Sequence, residues 1–385
     1  MIKRGVTMKW AVKLLAIFFL LAGLSIPAAA QSQEIDLQPQ MDAVGADELM
    51  DKLPGDAQEL LDSAGVDGID YKQLLSLTPA RFFQTIWQLV LRKLKQPMTT
   101  FCAVLGTVLL CALLDCLKTS LWEGNLSSVF SAVAAVCTSA AIASPIIDCI
   151  ITTAGAIRDC SNFILAFVPV FSSVVTAAGQ PVTATTYTVF LFGACQVVSQ
   201  VVSGTLVPLM GIYLALCIVG SLTPGIDVVS VAKVIKSTVC WTLGFLLTIF
   251  VGLLSLQTVV ASGSDTVVAK TAKFLIGSFV PVVGSALSDA FVATQGYMKL
   301  LKATVGVFGT LVAALTFLPI FLQTSVWYLT VNLTAAISSM LGIKQVSDIL
   351  KSASAVLGVL IAVSLCVALL VIISTSLVLM ASTGV

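Results

Sequence analysis

Residues 160–226 read CSNFILAFVPVFSSVVTAAGQPVTATTYTVFLFGACQVVSQVVSGTLVPLMGIYLALCIVGSLTPGI, 67 positions without one Asp, Glu, Lys or Arg. A membrane crossing takes about 20 apolar residues, so this run holds more than one. Three more stretches, 237–264, 303–343 and 352–385, are equally free of charge. Over the whole chain 58% of residues are hydrophobic and 10% charged, against about 25% charged in an ordinary soluble domain. So few charges cannot cover a globular surface in water, and most of the chain must face lipid. Every backbone polar group in lipid needs a partner within the protein. The predicted fold class is therefore all-α, a polytopic transmembrane helical bundle with about 8–10 spans and a small N-terminal extracytoplasmic segment.

The apolar segments are 98–117, 126–147, 161–179, 187–203, 205–222, 238–261, 274–292, 303–322, 324–342 and 352–380. Gly277, Pro281, Gly284 and Asp289 interrupt the segment 274–292, which reads as a broken or re-entrant helix. The net charge of +1 gives no bulk attraction to nucleic acid, and the chain has no histidine. The commonest general base and the commonest zinc ligand are thereby missing. No glycine-rich phosphate loop is present, and no cofactor is implied. Ten cysteines are scattered without a C-x-x-C, most of them in apolar segments where cysteine packs as a small apolar residue. Cys149 and Cys160, flanking an expected outer loop 148–159, are the pair with disulfide potential.

Four domains follow. Residues 1–30 have a basic start (Lys3, Arg4, Lys9, Lys13), an apolar run Leu14 to Ile26 and Ala28-Ala29-Ala30, the pattern of a signal peptide. Residues 31–77 are an acidic extracytoplasmic segment, expected to carry short helices on a flexible stretch that rests on the membrane domain or on a partner. Residues 78–96 form an interfacial amphipathic helix, with Thr78-Pro79 as its start, Phe83, Trp87 and Val90 on the apolar face, and Arg81, Arg92 and Lys95 opposite. Residues 97–385 are the polytopic membrane domain. With residue 31 outside, loop charge places 148–159 outside and 223–237, with Lys233 and Lys236, inside.

Polar groups inside spans are costly and tend to be functional. Asp115 lies three residues before Lys118 at the end of the first span. Gln196, Ser199, Gln200 and Ser203 fall at helical spacing, a polar stripe suited either to an aqueous path or to bonding a neighbouring helix. The densest constellation runs from Gly252 to Gly306 and includes Gln257, Asp265 and Lys302. At its centre stand Lys270-Thr271-Ala272-Lys273-Phe274, Gly277, Phe279-Val280-Pro281-Val282-Val283-Gly284 and Ser288-Asp289-Ala290.

These residues resemble the signature R/K-T-A-K-F-x-x-G-x-F-I/V-P-V-x-G, followed by S/T-D-A, of the stage III sporulation protein AE family of endospore-forming Firmicutes. Phe163-Ile164-Leu165-Ala166-Phe167-Val168-Pro169 and Val207-Pro208-Leu209-Met210 also resemble family segments. The first signature position, often Arg, is Lys270 here, which keeps the charge and loses the planar fork. The resemblance implies a non-enzymatic component of the channel-like complex joining mother cell and forespore, placed in the mother-cell membrane. Its implied partners, besides the bilayer, are the other stage III A proteins, including a cytoplasmic ATPase (AA) and ring-forming proteins such as AG and AH. It also implies that Lys270, Thr271, Lys273, Phe274, Gly277, Pro281, Gly284 and Asp289 form the functional segment. The alternative from a different class is a self-sufficient secondary transporter, coupling ions through Asp115 or Asp289.

Overall fold

The structure, a computed structural model, describes residues 45, 47–66, 68–69, 84, 88, 91, 95–110, 112–113, 126–222, 228–279 and 284–380. Among these residues there is no strand. A short 3₁₀ turn, Asp47–Lys52, leads into α1 (Gly55–Ala64). Residues 95–110 are helical. Then come α2 (Leu126–Ala177), α3 (Pro181–Val198), a π-helical stretch (Ser199–Leu206) and α4 (Val207–Leu222). The chain continues as α5 (Val228–Phe279), α6 (Gly284–Met340) and α7 (Lys344–Met380).

The bundle class stands, but the segmentation differs from the one expected above. The apolar segments 126–147 and 161–179 are one helix, as are 303–322 and 324–342. Among the described residues five helical runs are long and apolar enough to cross a membrane. The reason is local. Neither 148–159 nor Gln323-Thr324 carries a Gly-Pro stop, and Asp148, Arg158 and Asp159 continue a helix with their side chains exposed. Pro145, Pro169 and Pro319 are absorbed inside helices, as neighbouring helices permit in membrane bundles. The loop-charge reading of 148–159 therefore has no loop to rest on, and Lys233 and Lys236 belong to α5. The disulfide expectation also falls. Cys149 and Cys160 form no disulfide and are buried on one continuous helix, about 16 Å apart along its axis, well beyond bridging range.

Real stops occur where glycine takes the left-handed backbone. At Gly179 (φ 85°) the amide donates to Thr176 O and that of Gln180 to Val175 O. At Gly342 (φ 81°) the same pair of bonds runs to Ser339 O and Ser338 O. Both are Schellman closures, which an L side chain would strain. They fold α2 back onto α3 and α6 back onto α7, and α6 and α7 share the most extensive packing in the bundle.

Between α2, α3 and α6 runs an aromatic ladder, Phe163, Phe167, Phe171 and Tyr187, with successive ring centroids 5.8, 5.2 and 5.4 Å apart. Gly306 and Gly309 of α6 lie against it, and a Cβ added at Gly309 would collide with the Phe167 ring. The short helices of the acidic segment rest on the membrane domain. Leu49, Ala57, Leu61 and Val66 are buried in the common core, and α1 packs on α6. Glu48, Asp51, Asp56 and Asp62 face outward.

The signal peptide, Asp115, Lys118, Phe83, Trp87, Val90 and Pro281 lie outside the described residues, so the expectations placed on them do too.

Candidate functional site

Helix α3 begins badly. Its N-cap is Gln180, which makes no side-chain cap, and its first residue, Pro181, brings no amide hydrogen. The next amides would be buried donors without partners. Asp265 of α5 supplies both acceptors: Val182 N donates to Oδ1 at 2.8 Å and Thr183 N to Oδ2 at 2.9 Å. A carboxylate 82 residues away thus acts as the cap of α3, held by two charge-assisted bonds and the positive end of the helix dipole.

Beside it the opposite arrangement closes the end of α7. Lys302 of α6 is fully buried. Its Nζ donates to Gln180 Oε1 at 2.6 Å and to the Val378 carbonyl at 2.8 Å, two residues before α7 ends. A cation at a helix C-terminus complements the dipole as the anion does at an N-terminus. The two charges also attract one another across the first turn of α3. Each of these buried ions has hydrogen-bond partners, the condition under which burying charge is tolerable. Four elements, α3, α5, α6 and α7, meet at this one polar junction.

The expected functional segment lies beyond it. α2 and α7 end at the junction and α3 begins there. From Asp265, α5 continues to Phe279, and α6 starts at Gly284, well before Lys302. The two helices therefore extend past the bundle end as an arm. Lys270, Thr271, Lys273, Phe274 and Gly277 are on the last turns of α5, and Gly284 and Asp289 on the first turns of α6. Lys270, Thr271, Tyr297 and Lys299 are exposed, and Phe274 is 67% exposed. The side chains of Lys273 and Asp289 lie outside the described residues.

The polar stripe is divided by the π-helical stretch, whose wider turn changes the angular step. Gln196 and Gln200 face outward, Ser199 is half-buried and Ser203 is buried. Ser203 donates to Ser199 O at 2.5 Å and accepts from Arg158 Nε at 3.4 Å. Ser203 thus bonds the stripe to α2.

Residues 70–382 match the family described as Stage III sporulation protein AE. The chain belongs to that family. The AE-family chain is also 30% identical over 154 residues to the "Stage III sporulation protein AE" of Bacillus subtilis (strain 168), a match covering 40% of this chain and 39% of that protein. No solved structure matches it.

Asp265 and Lys302 are the residues that spacing could not pair, being separated by 37 positions. A weak signal exists for each alone. Asp265 closes the charge-free run 237–264, with Ala261 one turn before it. Lys302 opens the run 303–343, with Leu301 and Val305 beside it. A lone charge set into an apolar helix face is one that must find its partner on another helix.

Proposed function

We propose that this AE-family protein is a non-enzymatic integral membrane component of the mother cell–forespore channel or secretion-like complex required for endospore formation. It sits in the mother-cell membrane facing the forespore, with its N-terminal segment extracytoplasmic. Its partners are the other stage III A proteins, including the AA ATPase and the AG and AH ring-forming proteins. One observation carries this reading beyond family membership: the arm bearing the Lys270–Ala290 signature extends past the bundle end, with Lys270, Thr271 and Phe274 outward. A segment placed so is suited to touch another subunit rather than to line an internal solute site.

A charge-swap series tests it: Lys273→Asp, Asp289→Lys and both together, scored for sporulation and protein level. Loss of sporulation at normal protein level without rescue by the double swap is the expected result for a partner contact. Rescue by the double swap assigns the two residues to each other within the arm. Normal sporulation in both single variants overturns the arm as a functional segment. The buried Asp265 and Lys302 favour a second reading, a self-sufficient transporter. Solute uptake by the purified protein alone in liposomes would select it.

A further inference from the structure

Next to the polar junction lies a small cavity between α3, α5 and the end of α7, lined by Thr183, Tyr187, Leu254, Gln257, Ala261 and Val378 among others. Its volume is about 10 Å³, the space of one water-sized guest. Three oxygens on its lining residues are buried and find no hydrogen-bond partner among the described residues: Thr183 Oγ1, Tyr187 Oη and Gln257 Oε1. Thr183 is 2% exposed and Tyr187 3%. The hydroxyls of Thr375 and Ser374 approach Tyr187, but both donate to Val371 O and close no bond of ordinary geometry with it.

Stranded buried polar atoms are rare in native proteins, and each needs an explanation. Three around one cavity share one. We propose that the cavity binds a single ordered water that bridges α5 to α3. The chemistry matches. A water donates twice and accepts twice, and two hydroxyls and an amide oxygen offer two donors and three acceptors. A bare sodium ion fits worse: no residue lining the cavity carries a charge, and the Lys302 ammonium lies across the same junction.

The site extends the Asp265 tie by two turns along α5, to Gln257. It thus gives α5, the least enclosed of the five spans among the described residues, a second polar attachment to α3. This inference goes beyond the proposed function and does not depend on it.

Isosteric variants that delete one oxygen each decide the matter: Thr183→Val, Tyr187→Phe and Gln257→Leu, compared by thermal unfolding of the purified full chain in nanodiscs. If a water joins the three, each variant lowers the unfolding midpoint by about 2 °C or more. Tyr187→Phe combined with Gln257→Leu then costs less than the sum, because the two residues communicate only through the guest. If the oxygens are stranded in a dry cavity, deleting one is neutral or stabilising, and that outcome overturns the proposal. A midpoint that rises with sodium chloride but not with choline chloride overturns it in favour of a cation. Should a variant not fold, a density map of the unmodified protein at water-resolving quality decides the same question: a peak within hydrogen-bond reach of the three oxygens sustains the proposal, and an empty cavity ends it.

Discussion

The most apolar 18-residue windows of the α5 and α6 spans have the same mean hydropathy, yet 72% of the α6 window is buried and only 17% of the α5 window. Along α6, Leu301, Val305, Phe308, Val312 and Ala313 are fully enclosed. Along α5, Trp241, Leu256, Val259 and Val260 are 67–73% exposed. Hydropathy therefore distinguishes lipid-compatible from water-compatible helices and cannot distinguish lipid-facing from protein-facing ones. In a bilayer, lipid tails are as apolar as leucine, so the choice falls to packing and polar contacts. α6 has both: Gly306 and Gly309 admit the Phe167 and Phe171 rings, and Lys302 binds two helix ends. α5 is tied to α3 through the two hydrogen bonds that Asp265 accepts.

The contrast can be broken at several points, of decreasing effect. Asp265→Ala should be the most damaging, leaving a half-buried amide, a buried amide and a buried ammonium without their anion. A loss of about 3–5 kcal/mol is expected, read as a lower unfolding midpoint and faster proteolysis of α5. If the loss is below about 1 kcal/mol, α5 is held by something other than the α3 cap. Gly309→Val comes next. Its new Cβ falls where Phe167 stands, and overpacking of this kind costs about 1–3 kcal/mol, measured by denaturation in detergent. The equivalent insertion on the open side of α5, Gly252→Val, places its Cβ where nothing lies within 4 Å and should be neutral or stabilising by a few tenths of a kcal/mol, because valine is a better helix former than glycine.

Leu61→Asp should detach the acidic segment from α6, exposing α1 to protease while the bundle keeps its midpoint. Simultaneous loss of both would mean that the segment is integral to the bundle. The smallest effect on stability belongs to the arm. Lys270→Gln and Phe274→Ser alter exposed side chains and should shift stability by no more than about 0.5 kcal/mol. On the proposed function they nevertheless reduce sporulation. A destabilised protein with the same phenotype would assign the signature to folding instead.

How far the site was legible follows from these residues. The signature could be read because it is local: Lys270 to Ala290 is continuous sequence with a recognisable order of Gly, Pro and charge. The polar junction could not, because its bonds join residues 76 to 122 positions apart. The weakness that calls for it, a Gln-Pro start to α3, is visible in the sequence. Which carboxylate answers it is not. The π-helical stretch at Ser199–Leu206 was likewise hidden, since a stripe drawn at spacings of three and four assumes an α-helical turn.

The sequence by itself determined that this protein is helical, membrane-embedded and of the AE family. Charge-free length, the absence of alternating strands and a local signature are all properties of contiguous residues. Tertiary structure alone decided that α6 is interior while α5 is peripheral, and that Asp265 caps α3 while Lys302 closes α7. The physical reason is that hydropathy and periodicity act within one helix. The partner that makes a buried charge tolerable must come from another helix, and its position along the chain is free until the bundle assembles.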